Sequence, residues 1–456
     1  MGVLALLLVP SMAPATVSFE GLPEQATDNA RALVDLVDLA CDAPDWRLRR
    51  AFDLAPGQIR DALEVFGYYS VEVQARLRRD DDCWQADFDV SPGEPVRLRD
   101  IRVEVIGGSE AAQAWAALEA GTPLRAGDAF LHADYESFKG RFDRLARRLG
   151  FFDAAFEQSR VDVYPEQLAA DVTLVFRAGR RYRIGAVGFD QDVIDESLAT
   201  RFLRFEPDEY YDATRIAELY EDLQLTGFFE LVEVDTRPRP DPYYDVELDI
   251  RLTAARPQTF SAGVGFGTDT GIKLRAGYIN RLVNTAGHQW EARGDVSRVI
   301  QEAGVSYRLP LEDPRSEWLS FDLGYKREDN ESALSQEVKF GVKQLKRRPG
   351  GWLETRFVDL GYEKFEVGLD DGETFLPVPG LSWTHTALGE GARPLRGHRV
   401  NFRISGTLEA LGANTQFLQA DVYGKLVLPL WSGARFLVRG ELGATIKDEL
   451  STCLLY

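Results

Sequence analysis

Three times in the first 255 residues, a stretch of helical periodicity ends in a glycine and two aromatics: Gly67-Tyr68-Tyr69, Gly150-Phe151-Phe152 and Gly227-Phe228-Phe229. The triplets lie 83 and 77 residues apart, so this part of the chain is an internal repeat rather than one large domain. Ahead of each, apolar residues recur at helical spacing: Ile59, Leu63 and Phe66; Phe138, Phe142, Leu145 and Leu149; Ile216, Leu219 and Leu223. The glycine then supplies a left-handed cap, and the aromatic pair opens a strand. Two alternating runs joined by a polar turn follow each triplet, at 71–77 and 84–90, 156–164 and 171–176, and 231–235 and 244–252. A short strand ending near glycine precedes each helical pair, at 17–21, 101–107 and 184–188. The reading is three β-α-α-β-β units over 17–96, 97–180 and 181–255. Such a unit offers a sheet edge, one per repeat, whose unpaired N–H and C=O groups can receive another extended segment; the strand after the aromatic pair is the expected edge.

Beyond Ala255 the period changes to two. Ala303, Val305, Tyr307 and Leu309 alternate with Glu302, Gly304, Ser306 and Arg308, and Leu319, Phe321, Leu323 and Tyr325 with Ser320, Asp322, Gly324 and Lys326. Composition changes at the same place: all of the net charge of -20 falls on residues 1–255, and 25 of the 40 glycines fall after them. A soluble sandwich with the apolar set inside is geometrically possible. Length favours a membrane: about eleven runs of roughly 8 to 13 residues suit strands that cross a bilayer at a tilt, whereas soluble strands run nearer five or six. Residues 256–456 therefore read as part of an antiparallel transmembrane β-barrel. Aromatics near run ends, such as Tyr278, Trp290, Tyr307, Trp318, Tyr325, Trp352, Tyr362 and Trp383, suit interfacial girdles.

Several function classes are disfavoured. The acidic balance opposes nucleic-acid binding, and no apolar run approaches the length of a spanning helix. The four histidines, His132, His288, His385 and His398, are scattered and accompany no His-Glu-x-x-His, Gly-x-Ser-x-Gly or P-loop motif, so no catalytic residue, metal or cofactor is expected. Asp80-Asp81-Asp82 and Asp370-Asp371 are read as solvated turns. Residues 1–15, MGVLALLLVPSMAPA, read as the apolar core and cleavage site of a secretory signal that lacks its basic leader, with an ordinary apolar strand as the alternative. In an oxidising compartment a bridge from Cys41 to Cys83 would close a loop of about 43 residues, worth roughly 4 kcal/mol; two buried thiols are the other reading. Cys453 has no evident partner.

The triple unit with its Gly-aromatic-aromatic step resembles the POTRA domain, the periplasmic module of outer-membrane assembly and secretion proteins. With it stands the junction Phe260-Ser261-Ala262-Gly263-Val264-Gly265-Phe266-Gly267-Thr268-Asp269-Thr270-Gly271, followed by Asn284-Thr285-Ala286-Gly287-His288. Together they resemble the TamA family of the BamA-like superfamily, the outer-membrane subunits of translocation and assembly modules. The resemblance implies a barrel of sixteen strands, here truncated at about eleven, and a cystine at Cys41 and Cys83. It implies a Gram-negative outer membrane with periplasmic repeats, a TamB-like inner-membrane-anchored partner, unfolded outer-membrane or autotransporter clients, and contact with outer-membrane lipid. It places the working seam on Phe260, Ala262, Gly263, Val264, Gly265 and Phe266, where a first strand weakly paired with the last opens to template client strands. A two-partner secretion pore or another POTRA-barrel translocase is the alternative. The superfamily's Val-Arg-Gly-aromatic lumen loop is not met: Val438-Arg439-Gly440 runs into Glu441 within a strand pattern. An eleven-stranded sheet with two open edges is not expected to be stable in lipid by itself.

Overall fold

The computed structural model describes residues 15–79, 83–330, 333–368, 370–389, 394–431 and 434–447. The signal-like residues 1–14, the Asp80-Asp81-Asp82 run and Cys453 lie outside them. Two compact units make up the chain, one of Met1–Ile184, Asp208–Ala213 and Pro238–Val246, the other of Gly185–Pro207, Thr214–Arg237 and Glu247–Tyr456.

In the first repeat, β1 (Thr16–Glu20) leads to α1 (Glu24–Leu33), α2 (Asp45–Glu64), β2 (Glu72–Arg79) and β3 (Trp84–Ser91). Helix α2 buries Leu48, Ala51, Ala55, Ile59, Ala62 and Leu63, which return every three or four residues and so share one face. That face meets Trp84, Ala86, Phe88 and Val90, the alternate residues of β3. Phe66, expected in the helix, lies in the turn beyond it. There Gly67 N–H bonds to Glu64 O and Tyr68 N–H to Leu63 O, closing the helix around a glycine at φ +87°. Cys41 and Cys83 form a disulfide.

The second repeat runs β4 (Arg97–Gly107), α3 (Ala112–Ala120), α4 (His132–Leu149), β5 (Ala155–Tyr164) and β6 (Ala169–Gly179). Phe138, Phe142 and Ala146 of α4 pack on Leu174 and Phe176 of the sheet and on Trp115. The third runs β7 (Arg183–Asp190), α5 (Glu196–Thr200), α6 (Ala213–Leu225), β8 (Phe229–Arg239) and β9 (Asp245–Ala254).

All three sheets share one order: β1-β3-β2, β4-β6-β5 and β7-β9-β8. This corrects the expectation of one open edge per repeat. The two-helix crossover is long enough to set the last strand beside the first in parallel, as in Thr16↔Gln85 through Glu20↔Asp89, while a hairpin pairs it with the second. The last strand is central, and both the first strand and the strand after the aromatic pair are edges.

The remaining strands form one antiparallel sheet in sequence order: β10 (Gln258–Gly267), β11 (Gly271–Asn280), β12 (Gln289–Val296), β13 (Ile300–Pro310), β14 (Glu317–Asp329), β15 (Ala333–Arg347), β16 (Trp352–Val367), β17 (Asp370–Leu388), β18 (Gly397–Thr407), β19 (Phe417–Trp431) and β20 (Ala434–Lys447). The described sheet is open, with β10 and β20 at its borders. Strand lengths reach 19 residues in β17, beyond the expected range, and Asp370-Asp371 begins that strand instead of forming the turn, which falls at Gly368. Val438-Arg439-Gly440 lies within β20.

The register carries each face across the strands. Val305 pairs with Leu323, Leu323 with Phe340 and Phe340 with Leu360, and all four remain exposed. The opposite face is ionic: Lys343 reaches Asp322 at 3.2 Å, Lys339 reaches Glu337 at 2.8 Å, and Ser306 donates to Asp322 at 2.6 Å. No second sheet covers the apolar row among the described residues. The sandwich reading required such a cover.

Candidate functional site

The glycine of each triplet is needed twice over. Gly67, Gly150 and Gly227 stand at φ +87°, +84° and +69°, where L-residues are strained. A Cβ on each would also meet the module that follows: Phe130 O at 2.7 Å from Gly67, Tyr211 Cβ at 3.0 Å from Gly150, Arg281 Cδ at 2.9 Å from Gly227. The step is therefore a socket. The start of the next module hydrogen-bonds back to it each time, Val96 N–H to Gly67 O, Tyr182 N–H to Gly150 O and Ala255 N–H to Phe228 O, all at 2.9 Å.

The two aromatics divide the work. Tyr68 packs into its own repeat and Tyr69 onto the core of the next. The Tyr69 hydroxyl meets His132 Nε2 at 2.8 Å, and burial, then the nearby Glu64 charge, push its phenol up to about 12. Phe151 is buried in the second repeat, while Phe152 lies 5.3 Å from both Tyr182 and Tyr211. Burial, then the bond to Asp153, raises the Tyr182 phenol well above its ordinary range. In the third repeat Phe228 and Phe229 are both buried. A Cβ on Gly287, in the turn between β11 and β12, would meet Leu198 Cδ2 at 2.7 Å and Phe228 Cε2 at 3.6 Å.

Around this last joint, backbone and arginines interlock. Asp195 N–H donates to Thr285 O at 2.8 Å, Arg201 Nη1 to Leu311 O at 2.7 Å, and Arg315 Nη1 to Leu203 O at 3.4 Å. Asp313 aims Arg315, accepting from its Nε at 2.7 Å, and also accepts from Ser316 Oγ at 2.8 Å. Burial works against the Asp313 charge, but these donors outweigh it and hold the carboxyl below the usual carboxylate range. Nothing in local periodicity marked these residues. For the other two joints the available signal was an aromatic or histidine at or just ahead of the start of the second helix, Phe130 and His132 or Tyr210 and Tyr211.

At the border of the large sheet, β10 pairs with β11 from Gln258↔Asn280 to Gly267↔Gly271, and has no other neighbour among the described strands. Phe260, Ala262, Val264 and Phe266 lie on its apolar face, and Phe260, Val264 and Phe266 are each at least 75% exposed. The Phe260 ring meets that of Tyr278 at 4.7 Å and Tyr278 that of Trp290 at 4.8 Å, both tilted, an aromatic ladder over three strands. Gly263 and Gly265 have ordinary φ; a Cβ at 263 would come no nearer than 3.9 Å to its neighbours, and at 265 would meet nothing. No contact in this sheet requires them. Bare glycine leaves the border with little side-chain packing to hold a partner strand. The residues expected at the seam all lie on β10, and each socket lies within its own repeat.

Residues 16–92 match a family model described as POTRA domain TamA domain 1. Over 210 residues the chain is 22% identical to the outer membrane protein assembly factor BamA of Neisseria meningitidis serogroup B, a match spanning 45% of this chain and 26% of that protein, about a quarter of its length. The crystal structure of BamA from Haemophilus ducreyi lacking POTRA domains 1-3 superposes with a TM-score of 0.62 at 16% identity, over 77% of this chain and 71% of that one. Repeats of this topology leading into a long antiparallel sheet are the fold that the chain shares with that structure. In its first repeat the chain is similar to the first POTRA domain of TamA, and over 210 residues to BamA.

Proposed function

We propose that this chain is an outer-membrane assembly factor that inserts or translocates autotransporter-type and other β-barrel clients, with its repeats in the periplasm. The observation that carries the proposal is the uncovered apolar row from Val305 to Leu360, backed by an ion-paired face and preceded by three sheets with open edges. Such a sheet is matched to lipid on one side and to water on the other. The repeat edges receive an inner-membrane-anchored, TamB-like partner by β-augmentation. At β10 the exposed Phe260, Ala262, Val264 and Phe266 row, with the unfilled Gly263 and Gly265 behind it, lets an incoming client strand pair with the border and leave again.

The test places a photo-crosslinking amino acid at Ala262, or at Leu323 in mid-sheet, in the natural Gram-negative host. Client barrels should be captured from Ala262 and not from Leu323. Equal capture at both positions, or none at Ala262 while clients still fail to assemble on deletion of the gene, would remove the seam from the mechanism.

A further inference from the structure

The structure assigns a transition-metal site to His385 and His398, two side chains that the assembly function does not use. They lie on neighbouring strands, His385 opposite Val400 and His398 opposite Ala387, on the face that carries Leu381, Trp383 and Phe402. His385 Nδ1 and His398 Nε2 face each other at 3.0 Å. The ring planes differ by 21° with centroids 5.0 Å apart, so the two nitrogens approach edge to edge. Two bonds of about 2.0–2.1 Å to a tetrahedral ion put ligand nitrogens roughly 3.3 Å apart, and a small rotation of either ring opens that space.

The second nitrogen of His385 is already oriented as ligand histidines usually are. Its Nε2–H donates to Gly350 O at 3.1 Å, which leaves Nδ1 unprotonated and pointed at its partner. The Trp352 ring lies beside that of His385, with centroids 5.1 Å apart. In the metal-free state His398 Nε2–H donates to His385 Nδ1. When an ion enters, that hydrogen bond is exchanged for two metal–nitrogen bonds, and the His398 proton moves to its own Nδ1. No third His, Cys, Asp or Glu joins the pair among the described residues; the pair lies at the strand ends, where β17 stops at Leu388 and β18 starts at Gly397, so water from beyond the apolar band completes the coordination. Imidazole pairs of this kind suit Zn²⁺, Ni²⁺ or Cu²⁺ rather than Mg²⁺ or Ca²⁺. The ion clips β17 to β18 and, through Gly350, steadies the turn between β15 and β16.

Untagged full chain in detergent micelles, titrated with Ni²⁺ in a calorimeter, should take up one ion. His385→Ala and His398→Asn should each weaken binding by at least about tenfold. His398→Asn retains an N–H for His385 Nδ1, so it preserves the hydrogen bond and the fold while removing an imidazole. His288→Gln should bind as the parent does. With Cu²⁺, the paramagnetic resonance spectrum should lose one coupled nitrogen in either variant. Binding unchanged in His398→Asn, or no uptake by the parent chain, would overturn the assignment and leave the pair as a hydrogen bond only.

Discussion

The second repeat and the eleven-stranded sheet spend their apolar residues in opposite ways. In the repeat, α4 lays Phe138 and Phe142 over Leu174 and Phe176, and the sheet's oily face is consumed inside the module. What such a module still offers is backbone, at two sheet edges and one glycine socket. The large sheet has no helix to cover it: Leu323 is 52% exposed, and charge is gathered on the other side. It offers side chains by the row and backbone only at its two borders. One chain thus makes two kinds of surface from the same strand chemistry, and what decides between them is whether helices accompany the strands.

A paired substitution tests that contrast hardest. Phe142→Ala empties a fully buried site and should cost about 3–5 kcal/mol in denaturant unfolding of the second repeat. Leu323→Arg should cost about 2–4 kcal/mol, but only where the sheet is held in lipid with its borders paired, because the charge then faces hydrocarbon. Were Leu323→Arg neutral in bilayers, as for an ordinary half-exposed strand residue, the apolar row would not be a lipid face and the comparison would fail.

The sockets give the next largest effect. Gly67→Ala combines a left-handed φ with a Cβ 2.7 Å from a carbonyl oxygen, so it should cost about 1–3 kcal/mol and make the segment between the first two repeats more sensitive to protease. Gly57→Ala is the control. It lies within α2 with nothing near its missing Cβ, and should stabilise by about 0.5–1 kcal/mol. Equal behaviour of the two variants would mean that the socket is not under constraint.

Much of this arrangement was legible in the sequence because it is written in local periods. Leu63 at helical spacing and Leu323 in alternation point to their faces before any partner is known. The role of Tyr69 was not legible, since its partner His132 lies 63 residues away and both strand and joint residues are aromatic. The central place of the last strand was hidden for a similar reason: β3 has the same alternation whether it has one neighbour or two. Phe66 shows the reverse error, a residue in helical register carried past the end of the helix by the cap at Gly67. At the border strand, Gly263 and Gly265 could be read as weak packing, yet only the structure separates glycines required by φ from glycines that nothing presses upon.

The smallest predicted effect concerns the joint between the third repeat and the large sheet, where charge replaces the aromatic contacts of the other joints. Asp313 titrates below the ordinary carboxylate range, so its contribution is fully present above the unfolded value of about 3.9 and is lost as pH falls through the lower folded value. Protonation loosens Arg315 from Asp313 and with it the bond from Arg315 to Leu203 O. The carboxylate is about one-third exposed, so solvent screening limits the effect to under about 1 kcal/mol. Unfolding stability measured between pH 5 and 3 should therefore fall slightly more steeply in the parent than in Asp313→Asn, while Phe142→Ala should shift the whole curve without changing that difference. Parallel curves for the parent and Asp313→Asn would mean that Asp313 is not coupled to the joint, leaving Asp195, Arg201 and the Gly287 contact to hold it.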